Sequence, residues 1–165
     1  MLAAEAAAID KVAQAPGLAA FLELVRDAQI HCLRRSMNQA PILSSLQGVQ
    51  DYLFAELAHC PREVFRVLYL NSANRLLRDE LMSEGSTTAT HIYPREVIRR
   101  ALDLHATALI LAHNHPSGDP QPSQSDIKAT RDLIHAAAPF EIVVHDHLIV
   151  SSAGLTSFRA LGLLA

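Results

Sequence analysis

The histidine-rich stretch of residues 113–126 constrains this chain more than any other. It follows an apolar run that is typical of a buried strand. His113 and His115 are two residues apart, so on an extended backbone both rings leave the same face. A loop rich in Pro and Gly leads to Ser123, where we expect a helix to begin with Asp126 in its first turn. Two imidazoles and one carboxylate are a common ligand set for catalytic zinc, with a fourth position left for water.

A structural interpretation of the same helix start stays open. Ser123-x-x-Asp126 also fits a capping box, in which the serine caps the helix and the acid reaches back to the cap. The two interpretations are compatible, because a cap fixes the backbone that aims the carboxylate.

The spacing of these residues resembles a known metal signature. His113-x-His115, followed after seven residues by Ser123-x-x-Asp126, is similar to the JAMM motif of JAB/MPN-type metalloproteases. The resemblance implies Zn²⁺ as the cofactor, held by His113, His115 and Asp126. It also implies that Ser123 helps to stabilise the oxyanion formed during hydrolysis.

A longer match points more narrowly to the RadC family of bacteria. The sequence His-Asn-His-Pro-Ser-Gly-Asp-Pro and the preceding Pro-Arg-Glu of residues 94–96 resemble motifs of that family. The similarity extends from about Arg66 to the C-terminus. Many JAMM proteins have Ser or Thr between the two histidines. This chain has Asn114 there, as the RadC branch does.

The alternation of strands and helices predicts an α/β fold. After an early hairpin the chain alternates, which favours a sandwich with a mixed β-sheet. The resemblance implies the same three-layer sandwich, the cytidine-deaminase-like architecture of JAB/MPN domains. The predicted helices are 18–35, 46–58, one from Pro94 and 123–137; the predicted strands are 63–70, 75–82, 107–112, two segments within 140–150, and 155–158.

Two parts of the chain are expected to differ in origin. Residues 41–165 correspond to the RadC-like JAB/MPN metalloprotease domain. Residues 1–40 are interpreted as an N-terminal helical segment, a remnant of the helix-hairpin-helix module of longer RadC relatives, followed by a linker. That module usually touches DNA backbones, so its reduction argues against carrying DNA binding over from the family.

Hydrolysis also needs a general base. JAMM enzymes use a glutamate upstream of the two histidines, and the candidates here are Glu80 and Glu84. Register with RadC-like sequences favours Glu80. The alternative is that Glu80 is an ordinary acid on the solvent face of a strand.

Charge and composition limit the partners. The 165 residues carry a net charge of −3 without a Lys/Arg stripe, so we expect direct nucleic-acid binding to be weak or absent. Two cysteines without a Cys-x-x-Cys motif predict reduced, partly buried thiols. Neither a signal peptide nor a run of 18 apolar residues is evident, so no membrane association and a cytoplasmic location are expected. A homodimer is an open option.

Two functions stay open at this point. The first is a zinc metallopeptidase that cleaves a peptide or isopeptide bond in a peptide or protein substrate. The second is a metal-stabilised, non-catalytic module that serves DNA repair or recombination. A zinc deaminase is excluded, because the chain lacks the His-x-Glu and Pro-Cys-x-x-Cys motifs. His145-Asp146-His147 could orient a zinc ligand or could be structural.

Overall fold

The computed structural model describes residues 2–39, 41–42, 46–85 and 92–164, and in these ranges the chain forms five α-helices and five strands. The helices are α1 (Leu2–Ala13), α2 (Leu18–Gln39), α3 (Leu46–Leu57), α4 (Pro94–Asp103) and α5 (Gln124–Ala137). The strands are β1 (Val64–Leu70), β2 (Leu76–Glu84), β3 (Ala108–Asn114), β4 (Val143–Ser151) and β5 (Gly154–Ser157). A 3-10 turn, Ala138–Phe140, follows α5 directly.

The strands form one mixed sheet in the order β2-β1-β3-β4-β5. β3 and β4 are parallel neighbours, and α5 lies in the crossover between them. The other three neighbouring pairs are antiparallel. β3 is therefore central, and all seven of its residues are buried, as its unbroken apolar run predicts.

Helices cover both faces of the sheet. α3 packs on one face with Val49, Leu53 and Leu57, and α2 lies behind it. α4 and α5 cover the other face, where their apolar residues meet the alternate side chains of β1 and β3. The fold is thus a helix–sheet–helix sandwich, and the predicted α/β class with a mixed sheet is confirmed.

The largest departures from the predicted boundaries are in β4, α2 and the N-terminal segment. β4 is one continuous strand, because the Asp146 carboxylate accepts hydrogen bonds from the His147 and Arg159 N–H groups and so is satisfied within the ladder. α2 continues through the predicted linker as far as Gln39, and the Ala-rich start forms α1. The sequence also predicts a helix cap at Ser44 or Ser45 and an edge strand or loop at 85–90. The cap residues and most of the segment 85–90 lie outside the described residues.

Two further sequence predictions concern cysteines and membranes. Both cysteines are free, with Cys32 exposed and Cys60 half-buried, so the prediction of a partly buried thiol holds for Cys60 alone. In the described parts of the chain, every helix is too short or too polar to cross a membrane.

Candidate metal centre

The end of β3 carries both histidines of the motif. His113 is 3% exposed and lies between Phe65 of β1 and Ile149 of β4, in the middle of the sheet. His115 follows the last strand residue, and its N–H still donates to the Val150 carbonyl at 2.8 Å. The two rings leave the same face with their centroids 4.8 Å apart, because alternate residues of an extended chain share a face.

The start of α5 carries the carboxylate. Ser123 caps the helix and accepts the Asp126 N–H at 3.1 Å, while Asp126 Oδ2 accepts the Ser123 N–H at 2.8 Å. The same carboxylate faces the two rings, with Oδ1 3.4 Å from His113 Nε2 and Oδ2 3.5 Å from His115 Nε2. The capping interpretation and the ligand interpretation therefore apply to one carboxylate at once.

The three side chains fit a metal ion. Their ligand atoms all lie within 4.8 Å of one another, and the two Nε2 atoms are 3.0 Å apart. Tetrahedral zinc with bonds of 2.0–2.1 Å separates its ligand atoms by about 3.3–3.4 Å. His115 Nδ1 lies 2.8 Å from the Asp119 carbonyl, which can only accept, so Nδ1 carries a proton and the neutral form of the ring has its lone pair on Nε2, the atom that faces the cluster. The ligand set predicted from the sequence thus converges, and zinc binding there is a proposal that this geometry supports.

Electrostatics in the cluster favour a bound cation. Burial lowers the pKa of His113 to about 4, so its ring is neutral at physiological pH. A hydrogen bond with Asp126 raises the pKa of His115 against the effect of burial. The hydrogen bond that its Nδ1 donates to the Asp119 carbonyl and the charges of Asp126 and Glu63 also raise this pKa. Burial opposes ionisation of Asp126, but the two rings and Ser123 hold its pKa well below the usual range. A neutral imidazole beside an ionised carboxylate is the protonation state that metal binding requires.

Glu80 lies on β2 and is engaged elsewhere. Arg100 of α4 donates to both of its carboxylate oxygens, at 2.8 Å and 3.0 Å from Nε, and this hydrogen bonding lowers the pKa of Glu80. Glu80 pairs with Val67 of β1, which in turn pairs with Leu111 of β3. Glu80 therefore lies about 10 Å from His113 across the sheet and about 7 Å along the strands. Its role as the general base stays a prediction, and these contacts weigh against it.

Glu84, the other candidate from the sequence, is also paired. It forms a salt bridge of 2.8 Å with Arg62, and its side chain is 46% exposed. Its register partner is Val64, whose side chain packs in the cluster under α3, on the opposite face from His113. Neither acid of the hairpin is thus placed beside the two rings.

Glu63 is an acid that the sequence interpretation did not consider. It extends the β1 ladder by one residue, since its carbonyl accepts the Gly85 N–H at 2.9 Å. Two residues before Phe65, it shares the sheet face of Phe65 and His113. Its charge raises the pKa of His115. The signal that could have found it is an acid at the start of the strand that pairs antiparallel with the histidine strand.

Asn114 points away from the metal cluster and holds the segment that carries Glu63. Its Oδ1 accepts the Val64 N–H at 2.8 Å, and its Nδ2 donates to the carbonyls of Cys60 and Arg62 at 3.1 Å and 3.0 Å. The side chain is 1% exposed and uses both of its polar ends. A serine or threonine at this position, as in many JAMM proteins, is too short to make the same three contacts.

The two histidines on either side of Asp146 have different surroundings. His147 is fully buried, and its Nε2 lies 2.8 Å from His113 Nδ1, so it touches a predicted ligand. His145 instead contacts the turn between β1 and β2, where its Nε2 is 2.8 Å from Asn74 Oδ1. Of the two histidines, His147 alone is positioned to orient a metal ligand.

Comparisons with known proteins identify the family of this chain. Residues 43–163 match the RadC-like JAB domain. A UPF0758 protein of Rhodobacter capsulatus is similar to this chain, at 48% identity over 143 residues, which cover 87% of this chain and 67% of that protein. The match spans most of the chain, and it includes the strand and helix that bring the two histidines and the aspartate together. The chain belongs to the family of RadC-like JAB domains.

Proposed function

We propose that this chain is a zinc-dependent hydrolase of the JAMM type that cleaves a peptide or isopeptide bond. The observation that carries the proposal is the convergence of His113, His115 and Asp126, with ligand atoms 3.0–3.5 Å apart. Three protein ligands leave one tetrahedral position open, which is the arrangement of catalytic rather than structural zinc sites.

The ligand residues would hold the ion at the surface end of a buried strand. His113 is buried, while the side chains of His115 and Asp126 are 17% and 16% exposed, so the open position would face solvent and substrate. The chemistry that zinc supplies at such a site is a water of lowered pKa, about 7, and a polarised carbonyl.

We assign the general base to Glu63 in place of Glu80. Glu63 shares the sheet face of His113 and acts electrostatically on His115, whereas Glu80 is held by Arg100. In this assignment Glu63 accepts a proton from the attacking water and delivers it to the leaving amine. Asn114 supports the role by fixing the backbone on both sides of Glu63.

Ser123 has a second role in this proposal. Its hydroxyl already contacts Asp126 Oδ2 at 2.5 Å and Ser125 Oγ at 2.7 Å, so it is oriented within the cluster. A hydroxyl next to the open position could donate to the oxyanion of the tetrahedral intermediate, which is the role implied by the JAMM resemblance.

The test is a metal-dependent hydrolysis screen with matched variants. Quenched linear peptides and isopeptide-linked peptides are incubated with zinc-loaded protein, metal-free protein, Glu63→Gln and Glu80→Gln, and products are identified by mass. We expect zinc-dependent cleavage that falls by about two to four orders of magnitude in Glu63→Gln. Glu80→Gln should keep most of the activity, because it removes an ion pair rather than the proton acceptor.

Other results would change the conclusion. Loss of turnover in Glu80→Gln with full activity in Glu63→Gln would return the base to β2. Stoichiometric zinc binding without cleavage in either peptide series would favour the non-catalytic module. Cleavage that survives full metal removal would contradict the proposal.

A further inference from the structure

We propose that buried Thr130 and His147 are positioning residues that fix the ring tautomer of His113, so that its Nε2 lone pair is always presented to the metal. The inference rests on the proposed metal site and adds two residues to it. Neither residue touches the cluster of ligand atoms; both act through His113.

Three hydrogen bonds connect these residues in a line. Thr130 Oγ1 lies 2.6 Å from the Asp126 carbonyl and 2.6 Å from His147 Nδ1. His147 Nε2 lies 2.8 Å from His113 Nδ1. Thr130 and His147 are 0% exposed and His113 is 3% exposed. The line therefore runs from the backbone of one predicted ligand, Asp126, to the ring of another.

The direction of every bond follows from the first. The Asp126 carbonyl can only accept, so the single hydroxyl proton of Thr130 must point to it. This bond to the carbonyl four residues earlier is a common one for threonine in a helix. The Thr130 oxygen can then only accept from His147, which places the proton of the neutral His147 ring on Nδ1.

The same logic sets the state of His113. With its proton on Nδ1, His147 offers a lone pair at Nε2. The contact of 2.8 Å with His113 Nδ1 then requires a proton on His113 Nδ1, which leaves the lone pair of His113 on Nε2. That atom is the one that lies 3.4 Å from Asp126 Oδ1 and 3.0 Å from His115 Nε2.

Packing prevents the relay from being rearranged by a ring flip. His147 stacks on Phe158 with centroids 4.7 Å apart and meets the edge of Phe65 at 6.2 Å. A flipped or rotated ring would lose both hydrogen bonds in a fully buried environment. Without the relay, His113 could place its proton on Nε2, and that tautomer cannot bind a metal through Nε2.

The first experiment reads the tautomers directly and needs no metal. Long-range ¹H–¹⁵N spectra of the histidine rings are recorded for the metal-free protein at neutral pH. We expect His113 and His147 both to carry their proton on Nδ1. A His113 ring with its proton on Nε2, or one that exchanges between the two tautomers, would overturn the proposal.

The second experiment uses a matched pair at Thr130. Thr130→Val keeps the shape but removes the hydroxyl, and Thr130→Ser keeps the hydroxyl but removes the methyl group. We expect Thr130→Val to lower zinc affinity by about 10- to 100-fold and to give mixed tautomers at His113. Thr130→Ser should bind zinc within about threefold of the wild-type protein, because it retains the relay.

The controls separate positioning from folding and from the proposed function. Urea unfolding of the metal-free variants measures stability, and an affinity loss in Thr130→Val without a tautomer change would assign the effect to packing and overturn the relay. Equal zinc affinity in Thr130→Val and Thr130→Ser would overturn it too. Failure of the wild-type protein to bind zinc would instead refute the metal site, while the tautomers in the metal-free protein would still decide whether the relay exists.

Discussion

Two polar clusters lie on opposite faces of the sheet, and their buried carboxylates have different partners. One lies under α3 and joins Arg66, Asp79, Tyr52 and Glu56; we call it the arginine cluster. The other is the metal cluster of His113, His115 and Asp126. Both contain a carboxylate with little exposure, but only the first pairs that carboxylate with a permanent cation.

The arginine cluster is complete as it stands. Arg66 donates to both oxygens of Asp79, at 3.0 Å and 3.1 Å, and to Glu56 at 3.0 Å. The Tyr52 hydroxyl donates to Asp79 as well, and burial together with the charge of Asp79 raises the pKa of that tyrosine. Donors and acceptors match, so the cluster needs nothing from outside the chain.

The metal cluster differs because its carboxylate faces two imidazoles in place of an arginine. Two Nε2 atoms and the Asp126 carboxylate converge at 3.0–3.5 Å, close to the separation of ligand atoms around tetrahedral zinc. Burial of an acid alone therefore does not identify a functional site. What distinguishes the metal cluster is the convergence of three potential metal-ligating atoms within 4.8 Å of one another.

The largest expected effect is on zinc binding. His113→Ala should lower zinc affinity by about three orders of magnitude, because two remaining ligands hold zinc poorly. Isothermal titration of metal-free protein measures the change. His145→Ala is the matched control, since His145 contacts Asn74 and not the cluster. Equal losses in the two variants would show that zinc does not bind at the metal cluster.

The next effect is on stability and concerns the arginine cluster. Arg66→Met should lower the free energy of unfolding by about 3 kcal/mol, because Asp79 would be left buried without its cation. Replacing both residues, as Arg66→Met with Asp79→Leu, should recover most of that loss. Urea unfolding measures both variants. Zinc affinity should not change in either, and a large change would mean that the two clusters are coupled.

A smaller effect is expected at Asn114, which lies behind the metal cluster. Asn114→Ala should lower the free energy of unfolding by about 2 kcal/mol, because three backbone groups lose a buried partner. Turnover should fall more than zinc affinity, since the loosened segment carries Glu63 and none of the predicted ligands. Parallel titration and activity measurements separate the two, and a selective loss of zinc affinity would contradict this view of Asn114.

The smallest effect is expected at Glu80. Glu80→Gln removes a partly exposed ion pair with Arg100, and such pairs contribute little to stability. Its thermal midpoint should move less than that of any variant above, with zinc affinity unchanged. A pronounced loss of zinc affinity would show that Glu80 reaches the metal cluster after all.

The sequence predicted those features that depend on local pattern. The spacing of His113 and His115 on a buried strand and the capping pattern of Ser123 and Asp126 were enough to predict a shared site. The base was harder, because Glu63, Glu80 and Glu84 all precede the histidines along the chain. Only the register of β1 between β2 and β3 shows which of them shares a face with His113 and lies level with His115.

The relay through Thr130 could not be predicted for a similar reason. A threonine within a helix and a histidine within a strand are ordinary residues in the sequence. Their meaning depends on α5 packing over β4, which brings Thr130 to His147 from 17 residues away. Long-range packing of this kind leaves no local pattern in the sequence.

The most direct test of the central claim is X-ray absorption on zinc-loaded protein of measured stoichiometry. We expect one zinc per chain with a shell of nitrogen and oxygen atoms at about 2.0–2.1 Å, two of which belong to imidazole rings. Asp126→Asn should disrupt this shell while the fold persists. A shell containing sulfur at about 2.3 Å, which would implicate Cys60 or Cys32, or the absence of stoichiometric zinc, would contradict the claim that His113, His115 and Asp126 form the metal site.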